Sequence, residues 1–329
     1  MRAARIHAHG VPADVVVEEV PDPEPGPGEV LVRVRAAAVN FPDVLILADR
    51  YQVSASPPFV PGSEFADVVE ALGQGVTEPA VGSVVAGSTF TGAFAEKVAV
   101  SAKALRPVPP GLDMVEAAAF GVTYGTAYHA LVTIGAAEPG EWATVLGAAG
   151  GVGSAAVDVG TRLGLRVVAA ASSPERLAVA RKLGAEAGVD YTTEDLKTRV
   201  RELTGGGTDV VVDPVGGDHA EAALRATRWG GRFVTVGFAD GRIPRIPLNL
   251  VLLKGVIVRG LEVRSLRRHL PEAVPAADRA LADLVAGGMR PLLGSVHPLA
   301  SVAAALAEVG ERRAVGKVVL DMNEERTGS

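Results

Sequence analysis

Small residues crowd one stretch of this chain: Gly147, Ala148, Ala149, Gly150, Gly151, Val152 and Gly153 follow one another without interruption. Ala148, Gly150 and Gly153 stand at the offsets of G-x-G-x-x-G, with Ala in place of the first Gly. That spacing suits a dinucleotide pyrophosphate. The backbone must approach the phosphates closely, and the N-terminus of the next helix aims its unsatisfied N–H groups and its positive dipole end at them. A glycine turn alone is weak, because such turns also serve plain packing. Here it follows an apolar run, 142–146, opens a helical pattern and begins a long strand–helix alternation, which is the context the motif requires. A P-loop does not compete: Gly316 and Lys317 are followed by Val318 and lead into a strand-like run.

About 20 residues past such a turn, an acid would bind the ribose 2′-hydroxyl of NAD. At that place the chain has Ala169, Ala170, Ala171, Ser172, Ser173, Pro174, Glu175 and Arg176. No carboxylate ends the second strand. Ser172 can donate to a 2′-phosphate and Arg176 can add charge-assisted bonds, so the pattern favours NADPH. The plainer reading is that Ser172 or Ser173 caps the next helix while Arg176 faces solvent. The two are compatible, since a capped helix start still presents donors.

Other chemistries are limited by what is missing. The 329 residues include no cysteine, which excludes disulfides, thiolate nucleophiles and thiolate-held zinc or iron–sulfur. His7, His9, His129, His219, His269 and His297 form no H-E-x-x-H, and no G-x-S-x-G elbow supports a serine hydrolase. A formal net charge of −6 gives no basic footprint for nucleic acid. The densest basic cluster, Arg264, Arg267, Arg268 and His269, reads as a solvated turn before a helix, with an anion site as the sharper alternative. The N-terminal residues lack the apolar core of a signal peptide, and no apolar run reaches the ~20 residues that cross a bilayer. A cytoplasmic protein without membrane partners is the expectation.

Two elements of organisation must position these residues. With 329 residues, two domains are the default. The first third reads as β-rich: residues 29–35 alternate apolar and charged after a Pro/Gly-rich turn, as a half-buried strand does, and strand-like runs lie at 65–72, 82–86 and 94–100. Short strands at this spacing suggest a barrel. A helical stretch over 114–134 leads to the strand 142–146, after which helices and strands alternate to 236. Such alternation implies a parallel sheet with crossover connections. An apolar strand at 256–261, helices over 271–286 and 301–311, and a last strand at 317–320 complete the expectation.

The whole pattern resembles the medium-chain dehydrogenase/reductase superfamily, within it the zinc-free NADPH:quinone oxidoreductase branch. The carrying residues are Ala36, Ala37, Ala38, Val39, Asn40, Phe41, Pro42 and Asp43; Val60, Pro61, Gly62, Ser63, Glu64, Phe65 and Ala66; Gly121, Val122, Thr123, Tyr124, Gly125, Thr126 and Ala127; the glycine turn; and the run 313–320. That branch often has Ala where Gly147 begins the turn, a small departure. The resemblance implies an α/β protein with a GroES-like β-barrel catalytic domain, 1–118 and 263–329, and a Rossmann doubly wound parallel-sheet domain, 119–262, with the active site in the cleft. Zinc members carry a Cys near Asn40, a His where Ser63 stands, and a four-Cys lobe; Glu64 survives, but one carboxylate is no zinc site.

By the same resemblance, Asn40 and Tyr51 serve hydride transfer to a quinone or other α,β-unsaturated carbonyl, which needs donors for the oxygen that gains charge. Their alternatives are a turn-stabilising amide and a rim aromatic. Ala149, Gly150, Gly151, Val152 and Gly153 would hold the pyrophosphate; Ser172, Arg176 and Tyr191 the adenosine end; Thr123, Val215, Gly237 and Phe238 the nicotinamide end. Lys317 or Arg312 would close over the phosphates. A homodimer through the strand 256–261 is implied as well. Two rivals stay open: an enoyl-thioester reductase using the Arg264 and Arg268 cluster for a CoA phosphate, and a non-catalytic NADPH-binding redox sensor.

Overall fold

Valine and alanine runs broken by glycine and proline make the first elements short. In the computed structural model, which describes residues 1–323, Arg2–Arg5 (β1) pairs antiparallel with Val16–Glu19 (β2). Then come Glu29–Arg33 (β3), Ala36–Val39 (β4), Phe41–Leu47 (α1), Glu64–Leu72 (β5), Val84–Ser88 (β6), Lys97–Ser101 (β7) and Leu105–Pro107 (β8). In β3, Val30, Leu31 and Val32 are all buried, so the half-buried reading of this strand gives way. It lies inside the sheet, between β5 and β7, with both faces covered.

The helical stretch expected over 114–134 is broken. Met114–Ala118 (α2) starts with a reciprocal cap: Glu116 N–H donates to Asp113 Oδ1 at 2.8 Å and Asp113 N–H to Glu116 Oε2 at 3.0 Å. After a break, Gly121–Tyr128 (α3) begins, and a π-helical turn over His129–Ile134 ends it.

The second unit, Thr123–Met289, is a parallel sheet wrapped by helices. Its elements run Trp142–Leu146 (β9), Gly151–Arg162 (α4), Arg166–Ala171 (β10), Pro174–Lys182 (α5), Ala187–Asp190 (β11), Leu196–Leu203 (α6), Thr208–Asp213 (β12), Gly217–Ala226 (α7) and Thr227–Thr235 (β13). Leu248–Lys254 (α8), Ile257–Gly260 (β14), Val263–His269 (α9) and Ala273–Ala286 (α10) follow. The order is β11-β10-β9-β12-β13-β14, every pairing parallel. Chain order reverses between β9 and β12, the switch point where doubly wound sheets hold their ligands. Apolar residues of β9, β10, β11 and β12 close a core with Leu196, Val200, Ala220 and Leu224.

The chain then returns to the first unit, which comprises Met1–Val122 and the described residues from Arg290. Leu293–Pro298 (β15), Val302–Gly310 (α11) and Lys317–Asp321 (β16) are its last elements. Strand β16 inserts between β15, parallel, and β4, antiparallel, with Leu320 opposite Ala37, and the path continues β5-β3-β7 in an eight-stranded sheet. Phe65, Phe94, Leu47, Leu299, Leu306 and Leu320 centre its core.

The second boundary differs from expectation. Residues 263–289 join the dinucleotide-type unit rather than the barrel-type one, and the first boundary falls after 122 rather than 118. Ala277, Leu281 and Val285 give α10 a buried stripe at four-residue spacing, and Arg162 of α4 donates to Gly287 O at 3.4 Å. The basic cluster is also not a turn but the helix α9, capped by Glu262, whose carboxylate accepts from Arg264 N and Ser265 N. No helix among the described residues is long and apolar enough to cross a membrane. Leu281→Ala should cost about 2–5 kcal/mol in denaturant unfolding; an unchanged midpoint would mean that α10 does not pack as described.

Candidate cofactor and active site

The turn after β9 is held in a shape only glycine permits. Gly147 has φ +60°, and a β-carbon on it would come within 2.8 Å of Val215 Cγ2. At Gly153 a β-carbon would lie 2.0 Å from the Gly147 carbonyl oxygen, so α4 rests backbone to backbone on the strand exit. Gly150 is the N-cap of α4 and offers no side chain to the first-turn amides. The N–H groups of Gly151, Val152 and Gly153 thus belong to the helix positions without an intrahelical acceptor, beside a buried Ala149. A pyrophosphate fits this cradle; a side chain at 153 would push α4 off the strand exit and spoil it.

Around the turn, the unit gathers most of the expected cofactor residues at the C-terminal ends of its strands. Ser172 is exposed where β10 ends, and its neighbour Ser173 caps α5, accepting from Arg176 N–H at 3.3 Å. The capping reading of this stretch thus holds for Ser173, and Ser172 stands exposed just before the cap. Arg176 is half-buried. Tyr191 N–H donates to Ala171 O at 3.1 Å, which sets Tyr191 beside Ser172, and its ring stacks on His219 at 4.2 Å between centroids. Thr123 is buried in α3.

Asp213, at the end of β12, was not anticipated. Its Oδ1 accepts from Val215 N–H at 2.9 Å and Gly216 N–H at 2.8 Å, and Gly237 N–H reaches its backbone oxygen at 3.3 Å. Ala239 and Asp240 donate back to Pro214 O and Val215 O, and Gly217 to Arg242 O. Two loops are thereby laced together, and Val215, Gly237 and Phe238 sit on them. Burial pushes the fully buried Asp213 carboxyl up, while the two backbone amides pull it down. An Asp ending a strand just before a Pro and two glycines is the signal that sequence reading passed over.

Lys317 is the clearest correction. It lies in the first unit, 3% exposed, and its ammonium donates to Asn40 Oδ1 at 2.6 Å and Glu64 Oε2 at 3.0 Å. An ammonium bound in this way does not close over a phosphate. Asn40 is corrected with it. Its amide donates to Glu64 Oε2 at 3.1 Å and Ala38 O at 3.4 Å, which uses both hydrogens and leaves none for a developing oxyanion. Glu64 Oε1 accepts from Val122 N–H at 2.7 Å, capping the start of α3 from a distant strand. Asp43 completes the cluster through Asn40 N–H, at 2.7 Å from Oδ2. Burial pushes its carboxyl up to about 7, against Asn40 N–H, the Ser63 hydroxyl and the Lys317 charge, with Glu64 reinforcing the rise. Tyr51 is half-buried on the bend after α1.

Zinc does not fit here. Asn40 and Ser63 are poor ligands, the Glu64 carboxylate already holds an ammonium, and the Asp43 carboxylate is taken up by Asn40 N–H. Among the described residues no three of His, Cys, Asp or Glu are placed to share a metal. A superficially triad-like group, Ser295, His297 and Glu308, is no relay, because the same His Nε2 meets both partners at 3.1 and 3.0 Å.

Comparison with known proteins agrees with both units. Residues 26–110 match the alcohol dehydrogenase GroES-like domain, and residues 151–279 match the zinc-binding dehydrogenase family. Quinone oxidoreductase-like protein 2 of Bos taurus is 38% identical over 311 residues, covering 94% of this chain and 89% of that protein. The quinone oxidoreductase of Thermus thermophilus, solved also in complex with NADPH, superposes with a TM-score of 0.85 at 36% identity, over 98% of this chain and 100% of that one. A mycocerosic acid synthase-like polyketide synthase of Mycobacterium tuberculosis is 32% identical over 304 residues, 91% of this chain but 14% of that protein.

Lys317→Met should destabilise the protein by about 3–5 kcal/mol, because Glu64 is left charged and unpaired in the interior. Adding Glu64→Gln should recover much of that loss in a double-mutant cycle. Independent, additive costs would show that the pair is not coupled.

Proposed function

Because the chain belongs to the medium-chain dehydrogenase/reductase superfamily, in its quinone oxidoreductase branch, we propose that it binds NADPH and reduces a quinone or other α,β-unsaturated carbonyl without a metal. One observation carries the cofactor half of this reading. A glycine turn at the sheet's switch point opens an uncapped helix N-terminus, and the next strand ends in Ser172 with Arg176 beyond and no carboxylate. Ala149, Gly150, Gly151, Val152 and Gly153 hold the pyrophosphate; Ser172, Arg176 and Tyr191 serve the adenosine end. Thr123, Val215, Gly237 and Phe238 shape the nicotinamide end. The reduced nicotinamide, when bound, supplies the hydride.

The protein's own part is orientation and charge. Tyr51 is the hydroxyl we assign to the acceptor oxygen, donating as that oxygen gains negative charge. Asn40, with its amide committed to Glu64 and Lys317, acts as a positioning residue that fixes the start of α1. The same reading takes the protein to be cytoplasmic.

A homodimer is part of the proposal. Strand β14 ends its sheet with all four residues exposed; Leu248, Leu252 and Leu253 of α8 just before it and Trp229 of the adjacent β13 are more than two-thirds exposed, at 79%, 81%, 71% and 78%. An open apolar edge invites pairing, and a second copy of β14 across a two-fold axis would satisfy it. Sedimentation should give a dimer that Val258→Lys shifts toward monomer; a monomer at all concentrations rejects the pairing.

The relationship to the polyketide synthase favours one second reading, an enoyl-thioester reductase. The exposed basic residues Arg264, Arg268 and His269 of α9 would then hold a carrier phosphate. Steady-state NADPH oxidation with quinones, small enones and enoyl-CoA esters separates the two. Turnover of quinones and enones is expected, with Tyr51→Phe lowering kcat by about a hundredfold at unchanged KM for NADPH. Turnover of thioesters alone would establish the second reading, and NADPH binding without oxidation by any acceptor would make the protein a redox sensor.

A further inference from the structure

His219 had no role in the sequence beyond a surface or core histidine, yet the structure gives it an unusual position. It lies in the first turn of α7, after the laced loop that Asp213 anchors, and its ring is stacked on Tyr191 at 4.2 Å with a 39° tilt. Tyr191 leaves β11 on the other side of β10 and β9 in the sheet order, so the two rings meet across the C-terminal ends of those strands. Register fixes the rest of the neighbourhood. Ala171 is paired with Asp190, so Ser172 and Tyr191 are the next residues out on adjacent strands, and Arg176 lies in the first turn of the helix that Ser173 caps. Ser172, Arg176, Tyr191 and His219 therefore share one end of one sheet.

We propose that His219 is a specificity residue for the phosphorylated dinucleotide: its imidazole, braced by Tyr191, takes up a proton and bonds the 2′-phosphate alongside Ser172 and Arg176. This rests on the NADPH reading and extends it to a residue and a pH dependence. Geometry supplies the ring and its brace; charge supplies the switch. The charges that act on the imidazole are Asp218 on its own helix and Asp240 and Arg242 on the loop after β13, with the Tyr191 ring facing it from β11. Arg242 is itself paired to both aspartates, at 3.0 Å to Asp218 and 2.7 Å to Asp240, so it offsets one of the two carboxylates and the group keeps a single net negative charge while the imidazole is neutral.

Without ligand, burial holds the imidazole below its ordinary value, which keeps it neutral at pH 7. A phosphate dianion against the ring favours the imidazolium and raises that value. Binding then consumes a proton in the interval between the two values, and NADPH affinity falls as pH rises through it. The sign is diagnostic. Phosphate gains its second charge near pH 6, so a site built from serine and arginine alone binds more tightly as pH rises.

The test measures KM for NADPH and for NADH between about pH 6 and 8, in the wild-type enzyme and in His219→Gln. Calorimetry of NADPH binding in two buffers of different ionisation enthalpy counts the protons. The wild type should prefer NADPH most strongly at the acid end and take up protons on binding. His219→Gln should lower the NADPH-over-NADH preference by about five- to tenfold at pH 6 and abolish the uptake. Tyr191→Phe, which keeps the brace, should retain the pH dependence. Equal changes toward both cofactors would reduce His219 to a structural role, and a preference that grows with pH would remove it from the site. A wild type without any preference for NADPH would overturn the cofactor reading itself, and this proposal with it.

Discussion

A positive charge buried in the barrel-type unit must be satisfied, and the local structure follows from how it is. Lys317 comes from the last strand, Glu64 from the middle of the sheet, Asn40 from the cap of α1, and the Val122 amide from the start of α3. Taking an ammonium and a carboxylate out of water costs several kcal/mol per ion, and attraction offsets this only when the remaining lone pairs and protons also find partners. Here they do: Glu64 Oε2 receives Lys317 and Asn40, and Oε1 receives Val122. Each member is held because the others need it. Paired in this way, Glu64 serves as a structural anion.

The dinucleotide-type unit is governed by steric limits instead. Contact between α4 and the end of β9 is so close that Gly153 admits no side chain, and Asp213 ties the next two loops into one piece. Both devices fix backbone before any ligand arrives. Little reorganisation is then left to oppose binding, which is the advantage of a preformed site over one assembled on demand.

Much of this was written in local pattern. The glycine turn, the missing carboxylate after β10 and the strand–helix alternation each depend on neighbours in sequence, and each corresponds to the structure in kind. Helix α8 was missed because Pro244 and Pro247 argue for irregular chain, although a Pro at the N-cap leaves the residues after it free to coil. Helix α9 hid behind a charge run whose cap, Glu262, lies outside it. The role of Lys317 was not legible at all: its partners are 253 and 277 residues away, and a basic residue opening a strand gives no hint of what it meets. Tyr191 and His219 illustrate the same limit, since a ring contact between residues on separate elements leaves no periodic trace.

The return of the chain to its first unit has a consequence for how the protein is made. Thr123–Met289 is continuous, so a ribosome delivers all of it before it delivers β15 or β16. Strand β4 is synthesised early yet must wait, with one edge open, for nearly three hundred further residues, because β16 pairs with it through Ala36–Val39. Glu64 waits in the same way for its lysine. The unit that begins the chain is thus the last to close, and until β16 arrives the edge of β4 stays open to wrong pairing.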